Sequence, residues 1–375
     1  MKMKKKSILT VVTAFTVAAG AGSAYFLLGN ETSGSPRSAE NNPEHEVTLT
    51  EKSFASKAEL TAAGDFLIHK PLYTDAFTGT SYDFNPMFEE VRTIFEESDA
   101  AYINQESILG GEALGLSSYP SFNSPHEAGD ALLNAGMDVM NMANNHTLDK
   151  GSRGVLSAIR YYEDRNVLYT GAYKNERDQL TPRVLNRNGI RFGFLSYTYG
   201  TNGIPVPEGM PYLVNLIDAE KMKKDIREMR ELADFVIVSA HWGLEYERFP
   251  NGEQKSLAAM LANEGANVII GHHPHVLQPM EWITAKSGKK TLVIYSLGNF
   301  LSGQEGDYKD IGGIAKLTFY KKISGDKRDL QIGEPGFIPT IVTHSNKSNY
   351  KVRILKNVDP ELDDSIKKHV LTTKK

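Results

Sequence analysis

The chain has 375 residues, 40% hydrophobic and 23% charged, which is the composition of a globular protein with a sizeable core in one large domain or two ordinary ones. Its formal net charge of −4 gives no support to nucleic-acid binding, which shows as a basic face or stripe. Zero cysteines exclude disulfides, thiolate nucleophiles and Cys-based zinc sites, so any metal must be held by His, Asp, Glu or Asn.

Residues 1–6, MKMKKK, carry four lysines, and residues 7–30 carry no charge. The apolar span 8–28 would reach about 31 Å as a helix, close to the ~30 Å hydrocarbon core of a bilayer. Lysines before it predict a cytoplasmic N-terminus with the remainder of the chain outside. A cleaved signal peptide is the rival reading, because residues 18–24 include small-residue sites that a signal peptidase accepts. Residues 31–57 are rich in Ser, Glu, Asn and Pro without sustained periodicity and are expected to form a disordered tether.

The folded region is expected from residue 58. An extended apolar segment ends at Gly64 and is followed at once by Asp65, with His69 four positions later; a carboxylate at a strand end is a ligand position, and a Gly-Asp turn is the simpler alternative. Residues 84–98 space Phe84, Met87, Phe88, Val91, Ile94 and Phe95 as a helix does. A short strand at 100–103 leads into Asn104, Gln105 and Glu106. A helix over 129–138 stops at Gly136, and Val139 and Met140 lead to Asn144, Asn145 and His146. Two asparagines and a histidine suit ligation or phosphate contact, and Asp149 three residues on could hold His146 in one tautomer; an Asn-rich helix cap is the alternative.

Residues 151–165 read as a helix leading to a strand near 167–170. The Asn-Gly pair inside 183–198, flanked by alternating apolar residues, predicts a hairpin, so the sheet is not purely parallel. Residues 219–232 form a charged helix whose lysines and arginines are balanced by acids. A buried strand at 235–239 ends near His241, and a helix over 256–264 stops at Gly265. Next comes NVIIGHHPHVLQP, in which an apolar run stops at Gly271 and delivers His272, His273 and His275. Pro274 restricts His273 to extended conformations. In an extended segment residues two apart face one way, so His273 and His275 would face one point and suit a divalent cation of the Mn, Fe or Zn kind. A solvent-facing His-rich loop is the alternative. The strand at 291–296 ends in LGNF, where Asn299 could line the site, residues 312–344 alternate as returning strands, and residues 346–375 form a polar tail with no strong pattern.

GDFLIH, NQE, NNHTLDKG, HWGLEY, GHHPHVLQP and YSLGNF, in that order over about residues 60–303, resemble the calcineurin-like metallophosphoesterases and, within them, the CapA or PgsA family associated with poly-γ-glutamate capsules. The resemblance implies an α/β fold, a four-layer sandwich of two mixed β-sheets flanked by helices, over residues 58–345, with two divalent metal ions above the strand ends. Carried over by motif, Asp65 would bind one metal, Glu106 would bridge both, Asn145, His241 and His273 would hold the second, and His275 would complete the first. His146 would serve as general acid or transition-state stabiliser, supported by Asp149. Many superfamily members have Asp-x-His at the first strand and Asp in the second motif, where this chain has His69 four residues from Asp65 and Glu106. His69, Asn104, His272 and Asn299 are therefore expected to line the pocket.

The functional expectation is a membrane-anchored protein facing outward, with residues 1–30 as cytoplasmic stub and anchor, or a secreted protein if that segment is cleaved. It would use a metal-dependent hydrolase-type site in synthesis, export or surface retention of an anionic polymer such as poly-γ-glutamate. The alternatives are a non-catalytic accessory subunit of a membrane synthase complex and an extracellular phosphoesterase acting on a phosphoester substrate unrelated to capsules.

Overall fold

The computed structural model describes residues 53–371. The expected membrane-crossing segment and residues 31–52 of the expected tether lie outside the described residues; among the described residues no helix is long and apolar enough to cross a membrane.

The chain builds half of one sheet, then a second sheet, then returns to finish the first. β1 (Ser53–Leu67), β2 (Ala100–Gln105), β3 (Val139–Asn141) and β4 (Leu168–Thr170) run parallel, each beside the one before. Their connections carry α1 (Lys70–Asp75), α2 (Arg92–Glu96), α3 (His126–Asn134) and α4 (Gly151–Asp164). Phe95, Leu132, Val155 and Ile159 of these helices pack on Ala63, Ala101, Ile103 and Met140, covering the outer face of the sheet. All six residues of β2 are buried, as a strand covered on both faces requires.

After α5 (Glu176–Gln179), the hairpin β5 (Val184–Arg187) and β6 (Ile190–Thr198) turns at Asn188 and Gly189, whose φ values of 52° and 78° are those of the predicted Asn-Gly turn. α6 (Ala219–Leu232), β7 (Phe235–His241), α7 (Gly252–Glu264) and β8 (Val268–His272) extend this second sheet in parallel. β9 (Leu277–Thr284) then runs antiparallel to β10 (Lys290–Leu297), and β10 lies parallel to β8. Met222, Ile226, Ala258 and Leu261 of α6 and α7 cover its outer face.

β11 (Asn299–Ser302) returns to lie parallel to β1, and β12 (Ile311–Ser324) pairs antiparallel along β1 from Ser53↔Ser324 to Ala63↔Ile314. β13 (Lys327–Ile332), β14 (Gly336–Ser345) and β15 (Ser348–Ile354) complete the sheet, and α8 (Pro360–Val370) is the last element among the described residues. Between the sheets, Leu60, Ala62, Tyr102 and Val139 meet Phe192, Phe194, Ile237, Ile270 and Ile294, with Tyr102 stacked on Phe194 at 6.2 Å. The result is an α/β fold of two mixed sheets packed face to face, each with helices on its outer side.

Three expectations change. The helix expected over 84–98 is a 3-10 turn, Asn85–Met87, followed by the short α2; the expected residues are still buried, apart from half-buried Ile94, but Glu90 is drawn away to accept hydrogen bonds from Arg353 and Asn357. The strand expected from residue 58 starts at Ser53, because β12, distant in sequence, supplies the partner for residues 53–57. Within the expected polar tail 346–375, Asn346 and Lys347 at positive φ turn the chain into β15, and Ile366 and Val370 of α8 are buried.

Glycines let neighbouring backbone reach the strand ends that carry Asp65 and His272. A Cβ on Gly64, just before Asp65, would sit 2.0 Å from the Gly298 carbonyl oxygen. One on Gly271, just before His272, would sit 2.0 Å from the Tyr295 carbonyl oxygen and 2.4 Å from the Trp242 indole nitrogen, which itself donates to that carbonyl. Gly271→Ala is expected to lose about 1–3 kcal/mol in chemical denaturation, the usual cost of overpacking; an unchanged midpoint would contradict the close-approach account.

Candidate metal centre

The parallel strands of both sheets end on one side of the sandwich, where open α/β sheets bind their ligands. β1 carries Asp65, the end of β2 carries Asn104 with Glu106 beyond it, and the turn after β3 carries Asn145 and His146. β7 ends in His241, and the turn after β8 carries His273 and His275. All of these side chains are buried.

Donor atoms of Asp65, Glu106 and His241 lie within 4.8 Å of one another, and so do those of Glu106, His273 and His275. Glu106 belongs to both groups. Its Oε1 lies 3.5 Å from His241 Nε2 and 3.7 Å from His275 Nε2, and has no hydrogen-bond partner among the described residues. His241 Nδ1 and His273 Nδ1 are likewise buried without partners. Asn145 Oδ1 sits 2.9 Å from His241 Nε2, and the rings of His241 and His273 are 4.9 Å apart. The six expected ligands therefore converge. The donor groups differ from the expected division in one respect: His241 groups with Asp65 and Glu106, and His273 with His275.

The backbone at the histidines is not extended. His273 has φ 98° and His275 φ 57°, the left-handed region that costs a non-glycine residue about 1–3 kcal/mol. The Asp65 carboxylate accepts from the His273 amide at 3.3 Å, and the Pro274 carbonyl accepts from the Tyr246 amide at 2.7 Å, which together hold this turn. Tertiary hydrogen bonds thus override the local preference of a residue before proline, and the two rings converge through a tight turn instead of strand alternation.

Charge is concentrated here with little solvent to screen it. Burial raises the Asp65 pKa, but hydrogen bonds and positive charge from His272 and His275 outweigh burial and hold it well below the usual carboxylate range. Burial and the neighbouring Asp65 charge push Glu106 well above that range. For His275, burial disfavours the imidazolium, but the charge of Glu106 and the hydrogen bond to Asp65, at 3.2 Å, raise it to about 9. Burial lowers His241 and takes His273 to about 3. A buried Glu106 oxygen without a hydrogen bond among the described residues, between a neutral His241 and a His275 that can give up its proton, suits a divalent cation, and an all-N/O donor set suits Mn, Fe or Zn.

His146 Nδ1 lies 2.7 Å from Asp149 Oδ2, which also accepts from the Phe122 amide at 2.6 Å. The carboxylate thereby favours the tautomer with the proton on Nδ1. Three residues expected to line the pocket are instead buried supports. His272 lies behind Asp65, with Nδ1 3.0 Å from Asp65 Oδ1 and Nε2 3.4 Å from the Tyr102 hydroxyl, because β8 continues through Gly271 and turns this ring inward between the sheets. Asn104 donates to Asp65 Oδ1 at 2.8 Å, and Asn299 Oδ1 lies 3.0 Å from His275 Nδ1. His69 is outside both donor groups; its Nδ1 accepts from the Gly303 amide, and its ring edge meets Phe122, which also packs on His146.

Several residues at the centre were not anticipated. Tyr199 stacks on His241 and comes within 4.7 Å of the His273 ring, and Asn202 Oδ1 accepts from Asn145 Nδ2 at 3.2 Å. Both follow the end of β6, so the same strand-end pattern could have found them. Asn141, at the end of β3, donates to Asn104 at 2.8 Å.

Fold and site define an α/β protein with a buried carboxylate and histidine centre at its strand ends, suited to divalent metal. The family described as bacterial capsule synthesis protein PGA_cap matches residues 59–304, and the chain belongs to that family. It is similar to the capsule biosynthesis protein CapA of Bacillus anthracis, 33% identical over 187 residues, 48% of this chain and 44% of that one. It is also similar to the PGA biosynthesis protein CapA of Bacillus subtilis strain 168, 33% identical over 180 residues, covering 48% and 46%. The match thus spans less than half the length of these curated relatives. Among solved structures, the sulfate thiohydrolase SoxB of Thermus thermophilus aligns over 82% of this chain and 59% of its own, at 12% identity and a TM-score of 0.39.

Metal uptake must displace the proton that His275 carries below about 9, together with the proton favoured on Glu106. Affinity for Mn²⁺ is therefore expected to rise with pH toward about 9, by about tenfold per pH unit for each proton released. Calorimetric titration in two buffers of different ionisation enthalpy measures that release; binding heats that do not depend on the buffer would contradict it.

Proposed function

We propose that this chain is a membrane-anchored, outward-facing capsule synthesis protein with a two-metal hydrolase-type centre. It acts on an anionic polymer such as poly-γ-glutamate during its synthesis, export or retention at the surface. The observation that carries the reading is the Glu106 carboxylate, fully buried, with Oε1 unbonded among the described residues and the side chain shared by two groups of donor atoms. Membership in the capsule synthesis family and the names of the two Bacillus relatives support the polymer; the lysine-flanked apolar span at 8–28 supports the anchor.

Glu106 would bridge the two ions, with Asp65, Asn145, His241, His273 and His275 as the remaining ligands. Two cations at such a centre supply Lewis acidity and activation of water for hydrolysis. The rest is done by the chain's own residues. Asp65 stays ionised because His272 and His275 compensate its charge. Asp149 holds the His146 ring through Nδ1–H, which leaves Nε2 outside that bond; with the ring doubly protonated, Nε2 would give its proton to the leaving group and the ring would return to the neutral Nδ1–H tautomer. Tyr199 packs over the His241 and His273 rings and keeps water from one side of the ligands.

In the purified full-length protein, Glu106→Gln is expected to lose bound metal, measured by elemental analysis, together with Mn²⁺-dependent cleavage of poly-γ-glutamate or a phosphodiester. His146→Ala is expected to retain metal and lose about 10²–10⁴-fold in turnover. Metal binding without turnover in the wild type would overturn the hydrolase reading and support an accessory subunit that grips carboxylates. Unchanged metal content in Glu106→Gln would remove Glu106 from the centre.

A further inference from the structure

Asp65, Asn104 and Asn141 are cross-strand partners on β1, β2 and β3, so their side chains form one row across the ends of the first sheet. All three are fully buried, as is Glu106. The hydrogen bonds along the row run in one direction. The backbone amide of Ala143 donates to Asn141 Oδ1 at 2.9 Å, Asn141 Nδ2 donates to Asn104 Oδ1 at 2.8 Å, and Asn104 Nδ2 donates to Asp65 Oδ1 at 2.8 Å. The same Asn104 nitrogen reaches Glu106 Oε2 at 3.4 Å.

A backbone N–H can only donate, so the Ala143 amide sets the orientation of the Asn141 side chain, and Asn141 in turn sets that of Asn104. Neither amide can turn over without placing two donors or two acceptors face to face in a buried site, which costs about 1–3 kcal/mol for each unsatisfied group. The end of this relay is an NH₂ group with its two protons available to two carboxylates. One oxygen of Asp65 and one of Glu106 are thereby tied to a single nitrogen, while Glu106 Oε1 remains unbonded.

We propose that Asn104 is a positioning residue that fixes the spacing of the Asp65 and Glu106 carboxylates, and through them the separation of two bound cations, with its orientation imposed by the Ala143 amide through Asn141. The inference rests on the two-ion reading above. It explains why an uncharged amide stands between two buried acids: a third carboxylate there would add repulsion, and a hydrophobic side chain would leave both acids with one fewer donor.

The test is Asn141→Asp in the full-length protein, a change of nearly equal volume that reverses the relay. One oxygen of the new carboxylate still accepts from the Ala143 amide, but the other now requires a donor, so Asn104 turns over and presents its carbonyl to Asp65 and Glu106. Binding of Mn²⁺ is expected to weaken by about 10- to 100-fold, the range for groups that orient metal ligands. The electron paramagnetic resonance signal of two exchange-coupled Mn²⁺ ions is expected to disappear. Asn104→Ala serves if that variant does not fold; it removes the shared donor without adding charge, and the coupled signal is again expected to be lost. Variants that bind two coupled ions as the wild type does would overturn the inference and leave the two-ion reading standing. A wild type that takes up no Mn²⁺ would overturn both.

Discussion

Two carboxylates, Asp65 and Glu106, are fully buried side by side, and the arrangement of the centre follows from how that negative charge is compensated. Without compensation the cost of desolvating even one ionised carboxyl is several kcal/mol. Part of the compensation is built in: Asp65 is held by Asn104, His272, His275 and the His273 amide, which together occupy both of its oxygens. Glu106 receives less. It has one long contact from Asn104 and otherwise faces imidazoles, so the deficit in compensation, which favours a proton on Glu106, falls at Oε1 between His241 and His275.

That deficit depends on the two sheets being held together. Asp65, Asn104 and Glu106 come from the first sheet, and His241, His272, His273 and His275 from the second, so neither sheet alone makes the centre. The inter-sheet core beneath, with Tyr102 stacked on Phe194 and its hydroxyl near His272, sets the distance between them. Backbone conformation contributes as well: His273 and His275 occupy positive φ, a cost that the surrounding hydrogen bonds offset.

The centre was legible in the sequence wherever a short apolar run ended in a polar side chain of ligand type, which is how Asp65, Glu106, Asn145, His241, His273 and His275 stand out one by one. Their roles relative to one another were less so. Hydrogen bonds to Asp65 and His275, not exposure, set His272, Asn104 and Asn299 apart from the expected ligands, and those bonds join residues far apart in the chain, which local pattern does not report. Tyr199 and Asn202 follow the end of β6 as the recognised residues follow theirs, but β6 reads first as half of a hairpin, and that reading hid its other end. The ends of the domain were least legible: residues 53–57 and β15 are polar strands whose only signal is a partner far along the chain or across a turn.

Membership in the capsule synthesis family and the geometry of the strand ends meet at Glu106. Crystals soaked in MnCl₂ and measured at the manganese edge would test its bridging role most directly. Two anomalous peaks about 3.5–4 Å apart, one on each side of the Glu106 carboxylate, are predicted. A single peak away from Glu106, or none, would contradict the account.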